Sequence, residues 1–555
     1  MSNPVGAESS GGRLLVECLV AAGVPLMTCV PGESFLPVLD ALYDLAAGTD
    51  VPRLVTTRHE AAAANMAEAA GKLTGRAAVC FVTRGPGATH AGIALHTAFQ
   101  DGTPLLLVVG QVPRAHLGRQ AFQEMDYSRV FGSSAKSIVA ILDADHIPGH
   151  VARAVQVAHT GRPGPVVLVI PEDVLAETTS SRPLGAPLPT ELPTRQQDLK
   201  ELHGLLQTAR QPVLVVGGPG WTASVGEQVR SFAQRSSIPV AAAFRWQDAV
   251  DNRSPAYVGW LGLGCSPRLR ERVAEADLVV ALGPRLDDPT TDGFALVDGR
   301  DTASLVLVSQ DPLELASARV GTGIHTSLAG AAAYLAEQSA SLPAAPSRWC
   351  AALRSEYESF RSGPADRPEP DMVRIVQHVR SALPDDAVVT NGAGNYAIWL
   401  QRYFEFRQFP TQLAPRNGAM GYGLPAGLAA AALDEGRAVV TFAGDGCLLM
   451  SGSELATAVQ FGLKLIVIVV NNAMFGTIRM HQELHYPGRV VATQLRNPDF
   501  AAYAQAFGVR GTVVHRTDEF PLAFAAAMDR SGPSLIEVRT DPAQLTPDLR
   551  LAALT

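Results

Sequence analysis

Two polar clusters in the last third of the chain have the residue types of a metal site. The tripeptide Gly444-Asp445-Gly446 follows the apolar segment 439–443, and Asn472 follows the apolar segment 465–470, 27 residues after Asp445. Apolar segments of this length predict buried parallel strands, whose carboxyl ends meet at one ligand-binding edge of a sheet. A carboxylate oxygen, an amide oxygen and a backbone carbonyl are the hard ligands that Mg²⁺ takes beside phosphate oxygens. The pattern therefore predicts a magnesium site at this edge.

The glycines on either side of Asp445 indicate what the metal would hold. Gly444 and Gly446 have no side chain, so the backbone can approach a diphosphate closely. We expect a helix over about residues 452–461, and a helix N-terminus favours anions. The alternative is that Asp-Gly marks an ordinary turn. That alternative accounts for one motif but not for both motifs at this interval.

The two motifs and their spacing resemble the metal-binding pattern of thiamin-diphosphate (ThDP) enzymes. Such enzymes need a second element, a carboxyl group that bonds N1′ of the aminopyrimidine and so promotes removal of the thiazolium C2 proton. Thr57-Arg58-His59-Glu60 follows a short apolar strand near Leu54-Val55. Taken alone, a glutamate at the start of an Ala-rich helix is a partner of the helix dipole. Together with the metal motif, the catalytic interpretation of Glu60 is preferred.

The totals set the class of protein. The 555 residues predict three to four domains, and the 47% hydrophobic content with mean hydropathy +0.11 is ample for large cores. No apolar run is long enough for a transmembrane helix, and residues 1–12 lack the pattern of a secretory signal. The net charge of −8 argues against nucleic acid as the main partner. Six dispersed cysteines without metal-ligand spacing predict buried free thiols. We expect an enzyme of the cytoplasm, with neither membrane nor nucleic acid as partner.

Pro-rich stretches divide the chain. Residues 178–194, 342–346 and 362–370 indicate linkers. They predict domains over 13–177, 195–340 and 370–545. Each part alternates apolar strands with Ala-rich helices, which is typical of parallel sheets covered by helices on both faces. The predicted fold class is α/β, with three doubly wound parallel-sheet domains.

Further motifs extend the resemblance over nearly the whole chain, to the acetolactate synthase-like branch of ThDP enzymes. They are Pro31-Gly32-Glu33-Ser34, Gly85-Pro86-Gly87-Ala88-Thr89, Gly110-Gln111-Val112-Pro113, Ala121-Phe122-Gln123-Glu124, Gly161-Arg-Pro-Gly-Pro165 and Gly418-Ala-Met-Gly-Tyr-Gly-Leu-Pro425. The resemblance implies pyrimidine-binding, central and diphosphate-binding domains in that order. It also implies a homodimer or homotetramer, because in this family one subunit supplies the glutamate and another the metal site.

The resemblance assigns roles to individual positions. Asp445 and Asn472 correspond to magnesium ligands, and Met474 to the position whose backbone oxygen completes them. Met420 corresponds to the apolar residue beneath the cofactor that holds its two rings close together; the alternative is a methionine that fills the core. The expected cofactor-binding set is Pro31, Gly32, Glu60, Gly85, Pro86, Met420, Gly444, Asp445, Gly446, Asn472 and Met474. Phe122 and the expected catalytic residue Gln123 correspond to the substrate approach, unless they form an ordinary surface loop.

Three positions depart from the acetolactate synthase pattern. Pro289 stands where the pattern has an arginine implied to grip the acceptor's carboxylate, Glu172 replaces a lysine, and His481 replaces a tryptophan of the acceptor pocket. A buried carboxylate without a cation costs several kcal/mol, about 3–5 by analogy with broken ion pairs. An aldehyde or neutral ketone is therefore an alternative acceptor. Arg479 is a candidate replacement cation, against the simpler role of a solvated helix residue.

Three histidines are candidates for proton transfer, and the central part of the chain leaves flavin binding open. His90, His96 and His481 stand where the common pattern has other residues, and histidine can exchange protons near neutral pH; His481 is the preferred catalytic candidate, and a hydrogen-bonded structural role is the alternative for each. Arg285 and the Gly-rich segment 259–264 leave FAD as an open additional cofactor.

The predicted function is decarboxylation of a 2-oxoacid with ligation of the product to a carbonyl acceptor, using ThDP and Mg²⁺. One alternative is decarboxylation or C–C cleavage without ligation. The alternative of another class is a ThDP-binding regulatory protein without turnover.

Overall fold

The structure is a computed structural model that describes residues 8–46, 51–186, 192–339, 342 and 347–554. The predicted linkers 178–194 and 342–346 fall partly outside the described residues. The described chain forms three six-stranded sheets, and all strand pairs within them are parallel. This confirms the predicted fold class.

The first sheet follows the buried apolar runs of the first third of the chain. Its strands are β1 (Met27–Cys29), β2 (Leu54–Thr56), β3 (Ala78–Val82), β4 (Leu105–Gln111), β5 (Ser137–Ala140) and β6 (Pro165–Pro171), in the order β2-β1-β3-β4-β6-β5. The helices are Gly11–Ala21, Leu36–Ala46, Glu60–Thr74, Gly85–Asp101, Tyr127–Phe131, Ile147–His159 and Glu172–Ala176. The fully buried strands β3, β4 and β6 are typical of a sheet covered on both faces.

The central sheet has a different strand order. It consists of β7 (Pro212–Val216), β8 (Val240–Ala242), β9 (Tyr257–Trp260), β10 (Leu278–Leu282), β11 (Leu305–Ser309) and β12 (Thr322–His325), in the order β9-β8-β7-β10-β11-β12. This is the doubly wound order of dinucleotide-binding folds. Its helices are Gln196–Thr208, Ala223–Ser236, Pro267–Glu275, Asp288–Thr291, Ala295–Asp298, Pro312–Ser317 and Leu328–Gln338, followed by Ser347–Ser362.

The third sheet repeats the strand order of the first. Its strands are β13 (Val388–Asn391), β14 (Gln412–Leu413), β15 (Val439–Gly444), β16 (Ile466–Asn471), β17 (Arg510–Val514) and β18 (Ser534–Arg539), in the order β14-β13-β15-β16-β18-β17. The helices are Met372–Ala382, Tyr396–Tyr403, Gly423–Leu433, Asp445–Leu449, Leu455–Gln460, Gly476–His485, Phe500–Ala506 and Phe520–Met528. The first and third sheets therefore share one topology.

The chain separates into two compact units. The first unit contains residues 1–190, 415–436 and 449–465, and the second contains 191–414, 437–448 and 466–555. Within the second unit, the segment after β8 binds the edge of the third sheet: Asp248 Oδ2 accepts hydrogen bonds from Thr411 N and Gln412 N, both at 2.9 Å. Asp248 therefore has a packing role in the second unit.

Candidate functional site

Glu60 lies at the start of a helix in the first unit. The strand β2 ends at Thr56, and the helix Glu60–Thr74 begins three residues beyond Thr57. His59 is the N-cap, and its Nδ1 accepts a hydrogen bond from Ala61 N at 3.1 Å. Only 13% of the Glu60 side chain is exposed. The sequence-predicted glutamate is therefore mostly buried, at the carboxyl side of a sheet strand.

A second glutamate, which the sequence analysis missed, holds this turn. The carboxylate of Glu454 accepts hydrogen bonds from the backbone N–H groups of Arg58 and His59, each at 3.0 Å, and from Thr457 Oγ1 at 2.5 Å. Glu454 is fully buried, and burial raises the pKa of its carboxyl. The available signal was one acidic residue in the mostly apolar segment 452–461, where a carboxylate needs buried donors.

The helix predicted over that segment is present, but its first turn is a 3₁₀ turn. The 3₁₀ turn spans Gly452–Glu454 and runs directly into the helix Leu455–Gln460, and a separate short helix spans Asp445–Leu449. Glu454 lies in the 3₁₀ turn and faces Arg58. Hydrophobic periodicity does not indicate such a tertiary hydrogen bond.

The loop of Gly85 lies against the segment of Gln123. Gly85 N donates to Gln123 O at 3.0 Å, and Gln123 has φ +64°. A Cβ on Gly85 would lie 3.0 Å from that oxygen, which explains the glycine. Phe122 is 77% exposed. Pro86 is exposed at the start of the helix Gly85–Asp101.

Gly32 and Pro31 follow strand β1 and approach the same loop. A Cβ on Gly32 would lie 2.6 Å from Thr83 Cβ, and Ser34 Oγ lies 3.0 Å from Thr83 Oγ1. Pro31 is exposed. The first unit therefore brings Pro31, Gly32 and Gly85 to neighbouring strand ends, as the parallel arrangement predicts.

Met420 lies in a loop that is fixed by buried hydrogen bonds within the first unit. Tyr422 Oη donates to Glu68 Oε2 at 2.5 Å, and Arg416 N donates to Asp101 Oδ1 at 2.9 Å. Glu68 is on the helix that Glu60 begins, and burial raises the pKa of the Glu68 carboxyl. Met420 itself is half-buried. The loop is thus held at both ends, which suits a side chain that must support a ligand.

Asp445 is the buried carboxylate of the second unit. It follows Gly444, the last residue of β15, and is 3% exposed. Gly446 N donates to its Oδ1 at 2.8 Å, and Asn497 Nδ2 donates to its Oδ2 at 2.7 Å. Burial raises the pKa of Asp445, and these two donors oppose the rise. A buried carboxylate that keeps its charge needs donors or a cation.

Asn472 and Met474 form the turn after β16. Asn472 Oδ1 accepts from Met474 N at 3.3 Å, and Ala473 between them has φ +54°. The carbonyl of Met474 accepts from Gly476 N at 3.0 Å. This tight turn contains the amide oxygen of Asn472 and, two positions later, the carbonyl oxygen of Met474. Both oxygens are ligand types that Mg²⁺ accepts.

Asn497 is the second residue that the sequence analysis missed. Its Nδ2 also donates to Asn471 Oδ1 at 2.9 Å, and its Oδ1 is buried without a hydrogen-bond partner among the described residues. An unpaired buried amide oxygen is unusual, and this one could accept a hydrogen bond from a metal-bound water. The donor set of Asp445, Asn472 and Met474 fits a hydrated magnesium ion. Packing within the chain accounts for the two glycines, because a Cβ on Gly444 would lie 2.9 Å from Tyr396 and one on Gly446 would lie 2.6 Å from Phe475.

The helix Gly476–His485 carries the other candidates. His481 is exposed, and its ring lies 5.9 Å from the ring of His485. Arg479 pairs with the buried carboxylate of Glu483 one turn later on the helix. Pro289 lies in the short helix Asp288–Thr291. Glu172 pairs with the buried guanidinium of Arg84. The negative charge at Glu172 is therefore balanced locally.

The cysteines and the lengths of the helices were also predicted from the sequence. All six cysteines are buried free thiols, as predicted. Among the residues that the structure describes, none of the helices combines the length and apolar character needed to cross a bilayer.

Comparison with known proteins shows the family. Residues 9–130 match the N-terminal TPP binding domain of thiamine pyrophosphate enzymes, residues 199–335 the central domain, and residues 392–538 the C-terminal TPP binding domain. The chain is 31% identical to the acetolactate synthase large subunit of Parasynechococcus marenigrum, over 95% of this chain and 87% of that protein. It is 30% identical to the acetolactate synthase isozyme 2 large subunit of Escherichia coli, over 96% of each chain. A probable chloroplastic acetolactate synthase 2 of rice is 32% identical, over 96% and 83%.

The chain belongs to the acetolactate synthase-like family of thiamine pyrophosphate enzymes.

Both groups of candidate residues lie in domains that match the family. Glu60 lies in the part that matches the N-terminal TPP binding domain, and Asp445 and Asn472 lie in the part that matches the C-terminal one. Thiamine pyrophosphate is thiamin diphosphate under its other name. The three sheets correspond to the three matched domains of the thiamine pyrophosphate enzymes.

Proposed function

We propose that this protein decarboxylates a 2-oxoacid with ThDP and Mg²⁺ and joins the product to a carbonyl acceptor. The observation that carries the proposal is the buried Asp445 at the carboxyl end of β15, held by Gly446 N and Asn497 Nδ2, in a chain whose Glu60 begins a helix of the other TPP-binding domain. The acetolactate synthase names of its relatives support ligation.

The residues divide the work of binding. Asp445, Asn472 and the carbonyl of Met474 would hold the magnesium ion, and the backbone of Gly444 and Gly446 would lie beside the diphosphate. When bound, ThDP supplies the carbanion chemistry that cleaves the bond beside a 2-oxo group. Glu60 would hydrogen-bond the aminopyrimidine, and Met420 would support the cofactor from its apolar side. Gln123, with Phe122, would line the substrate approach.

For the acceptor we propose an uncharged carbonyl compound. Arg479 is paired with Glu483, whose carboxylate also accepts a hydrogen bond from Gly488 N at 3.0 Å, so using Arg479 to bind a substrate carboxylate would cost the protein this ion pair. Pro289 offers no charge. An aldehyde or neutral ketone avoids this cost because it carries no carboxylate. His481 is then available as a polar side chain beside the acceptor.

The assembly, location and flavin belong to the same proposal. We propose a homodimer or a homotetramer, because one copy would supply Glu60 and another Asp445 to each active centre. The proposed location is the cytoplasm, and the domain limits 13–177, 195–340 and 370–545 remain predictions. FAD has no step in the proposed reaction: Gly262 and Gly264 are explained by packing, since a Cβ on them would lie 2.5 Å from Phe244 and 3.0 Å from Ile398. The absorption spectrum of the purified protein at 450 nm tests for flavin.

The test is product analysis after incubation with ThDP, Mg²⁺ and pyruvate, with an aldehyde or a second 2-oxoacid as acceptor. We expect a 2-hydroxy ketone to form faster with the aldehyde. Predominant 2-hydroxy-2-alkyl-3-oxo acid would overturn the uncharged acceptor but keep ligation, and free aldehyde alone would favour a decarboxylase. Bound cofactor without turnover of any 2-oxoacid would favour the regulatory alternative. Glu60→Gln serves as the inactive control.

A further inference from the structure

A histidine of a neighbouring helix contacts the carboxylate of Glu60. His90 lies on the helix Gly85–Asp101, and its Nδ1 is 2.9 Å from Glu60 Oε2. His90 is 53% exposed at its side chain, whereas Glu60 is 13% exposed. The histidine thus covers the solvent side of the glutamate. From the sequence, His90 is one of three histidines predicted as candidates for proton transfer.

The other oxygen of Glu60 faces the start of the same helix. A Cβ on Gly87, three residues before His90, would lie 3.2 Å from Glu60 Oε1. The carboxylate therefore lies against the first turn of a 17-residue helix, where the helix dipole favours a negative charge. Its two oxygens have different surroundings, an imidazole at Oε2 and a glycine backbone at Oε1.

The ring of His90 is held in place by the ring of His59. The two ring centroids are 4.5 Å apart, with an interplanar angle of 27°. His59 is itself fixed twice, because its Nδ1 accepts from Ala61 N and its backbone N–H donates to Glu454 Oε1. Two aromatic rings in this stacked arrangement attract each other. His90 is therefore ordered although half of its side chain is exposed.

We propose that His90 is the positioning residue of Glu60, which it holds through a hydrogen bond from Nδ1–H to Oε2. This fixes the rotamer of the carboxylate and leaves Oε1 for the aminopyrimidine of the cofactor. The inference rests on the proposed function, in which Glu60 bonds that ring. A side chain that must act on a bound group gains from being held before the group arrives.

The experiment compares His90→Ala with His90→Asn. Alanine removes the donor, whereas the asparagine amide places a donor near the position of Nδ1 without the imidazole ring and without a positive charge. His515→Ala, which alters an exposed histidine in the second unit, is the matched control. Each purified protein is loaded with ThDP and Mg²⁺, and the exchange rate of the C2 proton is followed by quenched-flow NMR in D₂O, with cofactor affinity measured separately by titration.

We expect His90→Ala to bind the cofactor within about threefold of the parent affinity and to exchange the C2 proton at least fivefold more slowly. His90→Asn should restore the exchange rate to within about threefold of the parent, as should His515→Ala. Parent-like exchange in His90→Ala overturns the inference, and so does equal slowing in His90→Ala and His90→Asn.

The outcome separates this inference from the proposed function. If the parent protein neither binds ThDP nor exchanges its C2 proton, the proposed function fails. If the parent exchanges normally and His90→Ala does too, only the role of His90 fails. A melting temperature for each variant shows whether it is folded, and a His90→Ala protein that loses cofactor binding while His90→Asn retains both properties still supports the hydrogen bond.

Discussion

Asn497 donates a hydrogen bond from Nδ2 to Oδ2 of Asp445 over 2.7 Å, although the two residues are 52 positions apart in the sequence. The bond fixes one carboxylate oxygen, while Gly446 N fixes the other at 2.8 Å. Together they orient the proposed first ligand of the magnesium ion. Residues that orient metal ligands are often as important for metal affinity as the ligands themselves.

Replacing Asn497 with alanine should weaken Mg²⁺-dependent cofactor binding by about 10- to 100-fold, the usual range for loss of such a supporting hydrogen bond. Gln494→Ala, which alters an exposed side chain three residues earlier, should leave the affinity unchanged. Isothermal titration of ThDP at fixed Mg²⁺ measures both. Equal affinities in the two variants would contradict the role given to Asn497.

Removing the metal should release the cofactor. Dialysis against EDTA leaves Asp445 buried without a cation beside it, so diphosphate binding loses its bridging charge. We expect ThDP to be lost from the protein and to return on addition of Mg²⁺. Filtration followed by absorbance of the filtrate follows the release. Retention of ThDP by the metal-free protein would argue against the assignment of Asp445, Asn472 and Met474.

Glu454→Ala should destabilise the first unit and lower activity together. The substitution leaves the backbone N–H groups of Arg58 and His59 without their part-buried hydrogen bonds to the carboxylate, and a hydrogen bond to a charged group contributes about 1.5–3 kcal/mol. Glu435→Ala is the control, because Glu435 forms an exposed ion pair with Arg53, and such pairs contribute about 0–1 kcal/mol. Urea unfolding and the rate of substrate turnover compare the two. A Glu454→Ala protein as stable and active as the Glu435 variant would refute this.

Tyr422→Phe tests the buried contact beneath the Met420 loop. It removes the donor to Glu68 Oε2 and keeps the ring, so the loss should be about 1–3 kcal/mol of unfolding free energy. Tyr43→Phe, at a tyrosine that is 82% exposed, should change stability by less than about 0.5 kcal/mol. Denaturant midpoints measure the difference, and matching midpoints would show that the contact contributes little.

The six thiols should be unreactive in the folded protein. Burial raises the pKa of Cys18 to about 11 and that of Cys29 to about 12, so at pH 8 the reactive thiolate is a fraction on the order of 0.001 or less for each. We expect a thiol reagent such as DTNB to label none of the cysteines within minutes at pH 8. In guanidinium chloride all six should react. Rapid labelling of the native protein would mean that a core opens readily.

Much of the fold was readable from local patterns. The runs that end at Gly444 and Asn471 are buried apolar strands of the predicted kind, because a strand covered on both faces needs apolar residues at every position. The helix that begins at Glu60 was likewise indicated by its Ala-rich sequence and first-turn acid. Both features depend on residues that are close together along the chain.

The sequence by itself determined the three parallel sheets, the family and the oxygen-bearing side chains that we propose as metal ligands at Asp445 and Asn472, since each follows from residue types and their spacing along the chain. Only the tertiary structure decided that Asn497 holds Asp445, that Glu454 holds the turn before Glu60 and that Arg479 is already paired with Glu483. The physical reason differs for the two sets. Secondary structure is set by local backbone and burial preferences, whereas a hydrogen bond from a side chain to a group 52 or 396 residues away depends on how the elements pack.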